Sequence, residues 1–307
     1  MCTLSWHYSP EGLDLFFNRD ESLQRPEAEP PVIECRDGIN TVMPKDPSGG
    51  GTWIAANSQG VILALLNNYR YPSRVPAGQA ISRGLLVRRL SSAHTIAEVR
   101  AFLWSETLFQ YPPFILLAFN GEPSGPFKWE WTGEMLKETR DESETTISSS
   151  SLMPRFVPAL RRYLVRQALK RCEPGQAAGR LMDLHRNKRG WPESVAIAMK
   201  RKGRATVSLS HIRVTEADLT FRYWPGFPGS NKCAAGVSVL QRPGSQARTL
   251  NKENTTGGCR NVHRQKSKGT FTKTVPESHG VGSHDDGSGR GRLQREQRPR
   301  ARTDPFG

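Results

Sequence analysis

The chain has 307 residues, with 44 Lys and Arg against 29 Asp and Glu, a net charge of +15 and 36% hydrophobic residues. No apolar run approaches the roughly 20 residues that a membrane-spanning helix needs. The N-terminus lacks the basic stretch and apolar core of a secretory signal. The 5 cysteines are scattered and form neither a disulfide framework nor a paired metal motif. We therefore expect a cytoplasmic protein without a membrane-spanning segment.

The composition changes near residue 228. Residues 229–307 carry 15 Lys and Arg against 6 Asp and Glu, and they contain no Trp or Tyr. Such a segment buries too little apolar surface to offset the entropy lost on ordering. We therefore predict a folded domain over residues 1–228 and a disordered basic tail over residues 229–307. Clustered arginines bind phosphate backbones, but a solvated tail is the simpler explanation, so we predict no nucleic-acid partner beyond weak binding through the tail.

Within the domain, short apolar runs predict strands at 13–17, 53–56, 61–66, 114–119 and 127–132. Thr95 and Glu98 have the spacing of a capping box and predict a helix that follows them. A second helix is predicted over about 154–171, with a basic face that includes Arg161 and that we interpret as solvated. Further strands are predicted at 194–199, 205–210 and 219–224. Strands first, helices in the middle and strands last indicate an α+β layered domain.

The common catalytic and cofactor motifs are absent from the sequence. Gly49, Gly50 and Gly51 precede Thr52 and Trp53 rather than the Lys-Ser/Thr of a P-loop, and GxGxxG, HExxH and GxSxG do not occur. The 7 histidines show no metal-ligand spacing. We therefore expect neither a cofactor nor a metal.

One group of residues favours chemistry, and it begins at Cys2. Methionine is normally removed before so small a residue, which would give Cys2 a free α-amine. Nucleophile and base would then share one residue, with pKa values of about 8.5 for the thiol and about 7.7–8.0 for the amine. A hairpin between the N-terminal strand and strand 13–17 would bring Asn18, Arg19, Asp20 and Glu21 nearby. Arg19 would favour the thiolate and Asp20 would hold the amine. An incidental cysteine and a charged turn are the alternative interpretation.

The order of the motifs resembles a known family. The segments are MCTLSW, LFFNRDE with Arg25-Pro26, MPKDPSGGGTW, LALLNNY, SRGLL and ATVSLS, and they extend from residue 1 to about residue 225. This order is similar to that of the NRDE family (transport and Golgi organisation protein 2-like). That family resembles N-terminal-nucleophile hydrolases with an amino-terminal Cys, such as the relatives of penicillin V acylase and acid ceramidase. The resemblance implies a four-layer αββα sandwich of N-terminal-nucleophile hydrolase type.

The resemblance also implies roles for single residues. Cys2 matches the nucleophile, and Arg19 and Asp20 match the Arg and Asp that flank it. An Asn before a Tyr is expected to donate to an oxyanion. Asn67 and Asn68 both fit this position, because LLNNY doubles the residue.

Other positions fit the family less directly. A late Arg is expected near the nucleophile, and Arg204 is the nearest match. A later Asn completes the oxyanion hole in the hydrolases, but the corresponding residues 145–151 read TTISSSS. Arg83 would bind a substrate carboxylate or form an ion pair at a helix start. Trp53 would line the substrate site or belong to the core.

The predicted function is therefore an N-terminal-cysteine hydrolase that acts on an amide or related acyl bond of a small substrate. Cys2 would attack the carbonyl, its α-amine would take the proton, and water would resolve the thioester. The alternative is a non-catalytic binding or trafficking factor that uses the same pocket. Nucleic-acid binding through the tail is a remote third reading.

Overall fold

The computed structural model describes residues 2–76, 78–173, 175–187, 191–230, 234 and 236–242. In chain order its strands are β1 (Cys2–Ser9), β2 (Gly12–Ser22), β3 (Glu29–Arg36), β4 (Ile39–Lys45), β5 (Ile54–Asn57), β6 (Ile62–Asn67), β7 (Phe114–Phe119), β8 (Phe127–Trp131), β9 (Leu136–Arg140), β10 (Thr146–Ser149), β11 (Lys200–Arg201), β12 (Arg204–Val214), β13 (Asp218–Pro225) and β14 (Gly236–Gln241). The helices are α1 (Arg83–Leu90), α2 (Ile96–Ser105), α3 (Phe156–Lys170) and α4 (Ala177–Arg186). Within these described ranges, no helix has the length and apolar character to cross a bilayer.

The strands form two antiparallel sheets. Sheet A has the order β10-β1-β2-β12-β13-β14, with β11 paired to β12. Sheet B has the order β3-β4-β5-β6-β7-β8-β9. Strands predicted at 13–17, 53–56, 61–66, 114–119, 127–132, 205–210 and 219–224 are confirmed, and so are both predicted helices. At the start of α2 the Thr95 hydroxyl accepts the backbone N–H of Glu98, as the capping box predicts.

Helices pack on the outer face of each sheet. The central core lies between the sheets, where Leu4 and Phe17 of sheet A pack with Leu117 of sheet B. On the far side of sheet B, α1 and α2 bury a second apolar cluster. On the far side of sheet A, Val165 and Leu181 from α3 and α4 pack on sheet residues. The predicted four-layer αββα sandwich is therefore confirmed.

Strand alternation divides the side chains of β1 and β2 between the central core and the helix layer. Successive residues of a strand point to opposite faces of a sheet. Leu4 and Phe17 are paired in register and belong to the central core. Their neighbours Ser5 and Phe16, also paired, face α3 and α4. The same alternation decides which residues of the Asn18–Glu21 stretch lie near Cys2.

The predicted strand at 194–199 is wrong. This segment is a buried series of turns and bends. The carbonyl oxygens of Val195 and Ala196 accept hydrogen bonds from the Arg161 side chain, and that of Ile197 accepts one from Asn18. Side-chain donors therefore form the hydrogen bonds to these carbonyl oxygens that a neighbouring strand would form in a sheet. An apolar run of this kind belongs to the core without forming a strand.

The fold continues past the boundary predicted at residue 228. Strand β14 pairs with β13 from Tyr223↔Gly236 to Asp218↔Gln241, and it buries Leu240. Its sequence, GVSVLQ, has the alternating β-branched residues of a strand. The polar composition around it concealed this pattern. The folded domain therefore reaches at least Arg242, and the rest of the predicted tail, residues 243–307, lies outside the described residues.

Candidate active site

A cavity of about 400 Å³ lies beside Cys2. Its wall is formed by the start of β1, the end of β2, the segment before β5, the end of β6 and the start of α1. The predicted site residues that line it are Cys2, Arg19, Asp20, Trp53, Asn67 and Arg83. Residues that are far apart in the sequence therefore meet at one open cavity, and the other two predicted site residues, Asn68 and Arg204, lie outside it.

The β1–β2 hairpin places Cys2 directly opposite Arg19, as predicted. On its other side, β10 places Ser149 opposite Cys2. Residues directly opposite each other in antiparallel strands share one face of the sheet. The thiol, the Arg19 guanidinium and the Ser149 hydroxyl therefore form a row across three strands. Among the described residues the Ser149 hydroxyl is buried without a hydrogen-bond partner.

Burial raises the pKa of the Cys2 thiol above its ordinary value. A backbone hydrogen bond from Asp20 and the charge of Arg19 both lower this pKa, but their effects are smaller than that of burial. Arg19 therefore favours the thiolate, as expected, but burial outweighs its effect. Burial favours the neutral thiol, which needs a base before it can act as a strong nucleophile.

Arg19 is neutralised by carboxylates rather than by the thiol. Its Nη2 lies 3.2 Å from Oδ2 of Asp46 and 3.7 Å from Oε2 of Glu21. Asp46 is shared with Arg25, whose Nη2 donates to the same oxygen at 2.6 Å. The Arg19 guanidinium also lies 4.3 Å from the centre of the Trp53 ring. These contacts explain why Arg19 affects the pKa of the thiol so little.

The Asp20 carboxylate belongs to a buried network on the helix side of sheet A. Its Oδ1 accepts the Thr206 hydroxyl at 2.6 Å, and its Oδ2 accepts Nη1 of Arg161 at 3.3 Å. Both side chains of this ion pair are 0% exposed. Arg161 also donates to the Thr3 hydroxyl at 2.6 Å and to two backbone carbonyls. Asp20 therefore connects Cys2 to the helix layer behind it.

Arg161 was not predicted to be a site residue. It was assigned to the solvated basic face of α3, but it is fully buried, whereas Arg155 and Arg162 are exposed as expected. Val157 and Val165 lie four residues to either side of Arg161, and both are buried. Residues spaced by four share a helix face, so the apolar neighbours carried the signal that this arginine points inward.

The two asparagines of LLNNY face different surroundings. Asn67 lines the cavity with Cys2, and its Nδ2 donates to the Tyr69 hydroxyl at 2.9 Å. Asn68 does not line this cavity, and its Nδ2 donates to Oε1 of Glu130 at 2.9 Å. Asn67 is therefore the candidate oxyanion donor, and Asn68 has a structural contact.

Arg204 is not part of the site. It is exposed at the start of β12, where it pairs in register with Ser22, and it does not line the cavity. Thr206, two residues further along the same strand, contacts Asp20 instead. The arginine that lies beside Asp20 is Arg161, which comes from α3 rather than from β12.

The glycine-rich turn packs tightly against the start of α1. A Cβ atom on Gly51 would lie 2.2 Å from the carbonyl carbon of Gly84, so no larger residue fits without a backbone shift. The backbone N–H of Thr52 donates to the Gly84 carbonyl at 3.0 Å. This contact fixes the first residue of the helix, Arg83, at the cavity wall.

The sequence matches the model of the Transport and Golgi organisation 2 family over residues 1–220. The chain belongs to this family. The family predicted from the order of the motifs is thereby confirmed. A comparison with curated proteins gave no significant match.

Several solved structures align with this chain at low sequence identity. One is an N-acylethanolamine-hydrolyzing acid amidase ortholog from Caenorhabditis elegans, with 10% identity, a TM-score of 0.45, and coverage of 76% of this chain and 94% of that one. A mutant of the conjugated bile acid hydrolase from Clostridium perfringens has 13% identity, a TM-score of 0.42, and coverage of 87% and 97%. Another variant of that hydrolase has 11% identity, a TM-score of 0.43, and coverage of 78% and 92%.

In this Transport and Golgi organisation 2 family member, Asn18 has a structural role. Its Oδ1 lies 3.0 Å from Nδ1 of His185, whose Nε2 lies 2.7 Å from the Ser5 hydroxyl. All three side chains are 0% exposed, so no substrate reaches this serine. Burial lowers the pKa of His185 to about 3, and the imidazole is therefore neutral near pH 7. The cluster attaches α4 to sheet A.

Arg83 completes the cavity wall. Its Nη1 donates to the carbonyl of Pro113 at 3.0 Å. Among the residues that the structure describes, no group of three or more His, Cys, Asp or Glu side chains is placed to hold a metal ion. The side chains that line the cavity therefore offer a thiol, an amide, arginines and carboxylates.

Proposed function

We propose that this chain is an N-terminal-cysteine hydrolase that acts on an amide or related acyl bond of a small substrate. The supporting observation is that the Cys2 thiol lines an open cavity together with Asn67 and Arg83. A nucleophile, an oxyanion donor and a cation at one cavity are the groups that acyl transfer uses.

Burial of the Cys2 thiol raises its pKa, so attack on a carbonyl requires a base, and we place this base on the same residue. Removal of Met1 gives Cys2 a free α-amine, which has a pKa of about 7.7–8.0 and is partly unprotonated at neutral pH. As the sulfur attacks the carbonyl carbon, the thiol proton passes to this amine. The amine returns the proton to the leaving group, which departs and leaves a thioester on Cys2. Water then hydrolyses the thioester and restores the thiol.

Asn67 is suited to the oxyanion that forms in both steps, because it offers an amide N–H at the cavity wall. Ser149 lies opposite Cys2 in the sheet, but its hydroxyl is buried and does not line this cavity. The later asparagine that the sequence lacks therefore has no replacement among the side chains that line the cavity. Trp53 lines the same cavity and bounds the substrate.

Acylation of Cys2 tests the proposal. The purified protein is treated with a p-nitrophenyl ester and followed by intact mass and peptide mapping. We expect loss of Met1, one acyl group on Cys2, and decay of that adduct as water hydrolyses the thioester. Cys35 and Cys172 are internal controls, because neither lines the cavity, and Cys2→Ala should form no adduct. Equal labelling of the three thiols would remove the basis for nucleophilic catalysis.

The second candidate is a non-catalytic binding or trafficking factor that uses the same cavity. The protonated thiol and the missing later asparagine favour it. In this case the protein binds an acyl compound without turnover, and an acyl adduct on Cys2 persists instead of decaying. The cytoplasmic location stays a prediction from the cysteine pattern.

A further inference from the structure

The carboxylates at the cavity wall are all paired with arginines. The ion pairs are Asp46 with Arg19 at 3.2 Å and Arg25 at 2.6 Å, Glu21 with Arg19 at 3.7 Å, and Asp20 with Arg161 at 3.3 Å. In these pairs the positive and negative charges balance, with three carboxylates facing three arginines. Arg161 lies behind the wall and neutralises Asp20, so Arg83 is the cation at the wall that is left without a salt bridge among the described residues.

Arg83 forms no salt bridge in the described part of the chain. No carboxylate there lies within 4.0 Å of its guanidinium, and its hydrogen bond goes to the neutral carbonyl of Pro113. The ion pair at a helix start, which was the alternative interpretation of this residue, is therefore absent among the described residues. Burial lowers the pKa of Arg83, while the nearby Tyr69, Cys2 and Glu21 raise it. A guanidinium stays charged despite such a shift.

The surroundings of Arg83 add to its positive potential. It is the first residue of α1, and the first turn of this helix carries no acidic side chain. The N-terminal end of a helix carries a partial positive charge. Close packing of Gly51 on Gly84 holds this helix end in place. A desolvated cation without a partner is unfavourable until an anion pairs with it.

We infer that the substrate is an acyl compound with a carboxylate close to its scissile bond, and that Arg83 binds this carboxylate. Cys2 and Arg83 line the same cavity, so a ligand whose carbonyl lies at the thiol extends toward the guanidinium. The guanidinium fork matches a carboxylate with two parallel hydrogen bonds. A neutral compound of the same shape leaves Arg83 unpaired. The inference deepens the proposed function, on which its reaction rests, but the anion site can be tested without turnover.

Two alkylating reagents of similar size test the anion site. Iodoacetate carries a carboxylate, and iodoacetamide carries a neutral amide in its place. The rate ratio of iodoacetate to iodoacetamide is measured at Cys2 and divided by the same ratio at the exposed Cys35 in the same sample. This quotient cancels the protonation of each thiol. We expect a quotient of about tenfold or more, because charge-assisted hydrogen bonds are strong in a partly buried site.

Matched variants identify the residue responsible. Arg83→Gln should reduce the quotient to about one, and Arg83→Lys should keep part of the preference. Arg74→Gln makes the same change of charge at an exposed arginine outside the cavity and should leave the quotient unchanged. In the unaltered protein, glutarate should slow alkylation of Cys2 by iodoacetamide, whereas the neutral glutaramide should not. This measurement needs no variant and remains decisive if Arg83→Gln fails to fold.

The outcomes separate the two proposals. A quotient near one in the unaltered protein, or a preference that survives in Arg83→Gln, overturns the anion site and leaves the hydrolase proposal standing. A large quotient that depends on Arg83, without any acyl adduct on Cys2, supports the anion site and overturns the hydrolase proposal.

Discussion

Asp20→Asn distinguishes a role in the fold from a role at the nucleophile. If Asp20 lay in an exposed turn, replacing its carboxylate by an amide would lower the free energy of unfolding by well under about 1 kcal/mol. Asp20 is different, because its side chain and that of Arg161 are both 0% exposed and lie 3.3 Å apart. Removing one partner of a buried pair leaves an uncompensated charge and costs about 3–5 kcal/mol. At about 2–4 °C per kcal/mol for a domain of this size, the melting temperature should fall by roughly 10 °C.

A double variant separates the two effects. Arg161→Met removes the opposing charge, so Asp20→Asn combined with Arg161→Met should be more stable than the sum of the single changes by about 2–3 kcal/mol. If Asp20 holds the α-amine of Cys2, acylation should be about 100-fold slower in both the single and the double variant. Urea unfolding and the rate of Cys2 acylation by a p-nitrophenyl ester are measured on the same samples.

Two results would refute this reasoning. A loss below about 1 kcal/mol in Asp20→Asn would show that the ion pair contributes little to the fold. Recovery of the acylation rate in the double variant would show that Asp20 acts through stability alone. The position of Asp20 next to Arg19 in the sequence would then have no consequence for the chemistry.

Acid should destabilise the fold through His185. Its pKa in the folded state is lowered to about 3. Below about pH 6.5 the unfolded chain therefore binds a proton that the folded chain does not. The free energy of unfolding should fall by about 1.4 kcal/mol per pH unit down to about pH 3. In His185→Gln the melting temperature should therefore depend less on pH between pH 6 and 4. The same pH dependence in the variant and the unaltered protein would contradict this. Asn67→Ala should slow Cys2 acylation about 100-fold and leave the melting curve unchanged. Asn68→Ala should lower the free energy of unfolding by about 1–3 kcal/mol and leave the acylation rate unchanged. Equal effects of the two variants would disprove the assignment of Asn67 as the oxyanion donor.

Local patterns predicted the strands, whereas long-range contacts decided the errors. An apolar run of six residues has the same signature in a strand as in a buried turn. Residues 194–199 form a turn because Arg161 and Asn18, distant in the sequence, satisfy their carbonyls. A helix start at Arg83 was considered, but the extent of α1 was not predicted, because this helix is short and has only three buried residues, with basic ones between them.

The site shows the same division between local and distant information. Cys2 and Arg19 were predicted to be neighbours because a hairpin joins them. The contact of Arg161 with Asp20 was not predicted, since the two residues are 141 positions apart in the sequence. Whether Asn67 or Asn68 lines the cavity depends on the orientation of the end of β6. Because the two neighbouring residues are identical, the sequence pattern does not show which of them faces the cavity.

The alternation of β2 has a consequence for inherited or engineered variants of the NRDE stretch. Arg19 and Glu21 line the cavity, Asn18 is buried against the helix layer, and Asp20 contacts both. A lesion at Asn18 therefore lowers the number of folded molecules, and a lower growth temperature offsets it. A lesion at Arg19 or Glu21 changes the cavity of each folded molecule, and cooling leaves that defect in place. A lesion at Asp20 combines the two defects, so cooling restores folded protein without restoring the cavity. Alleles one residue apart thus fall into conditional, unconditional and mixed classes.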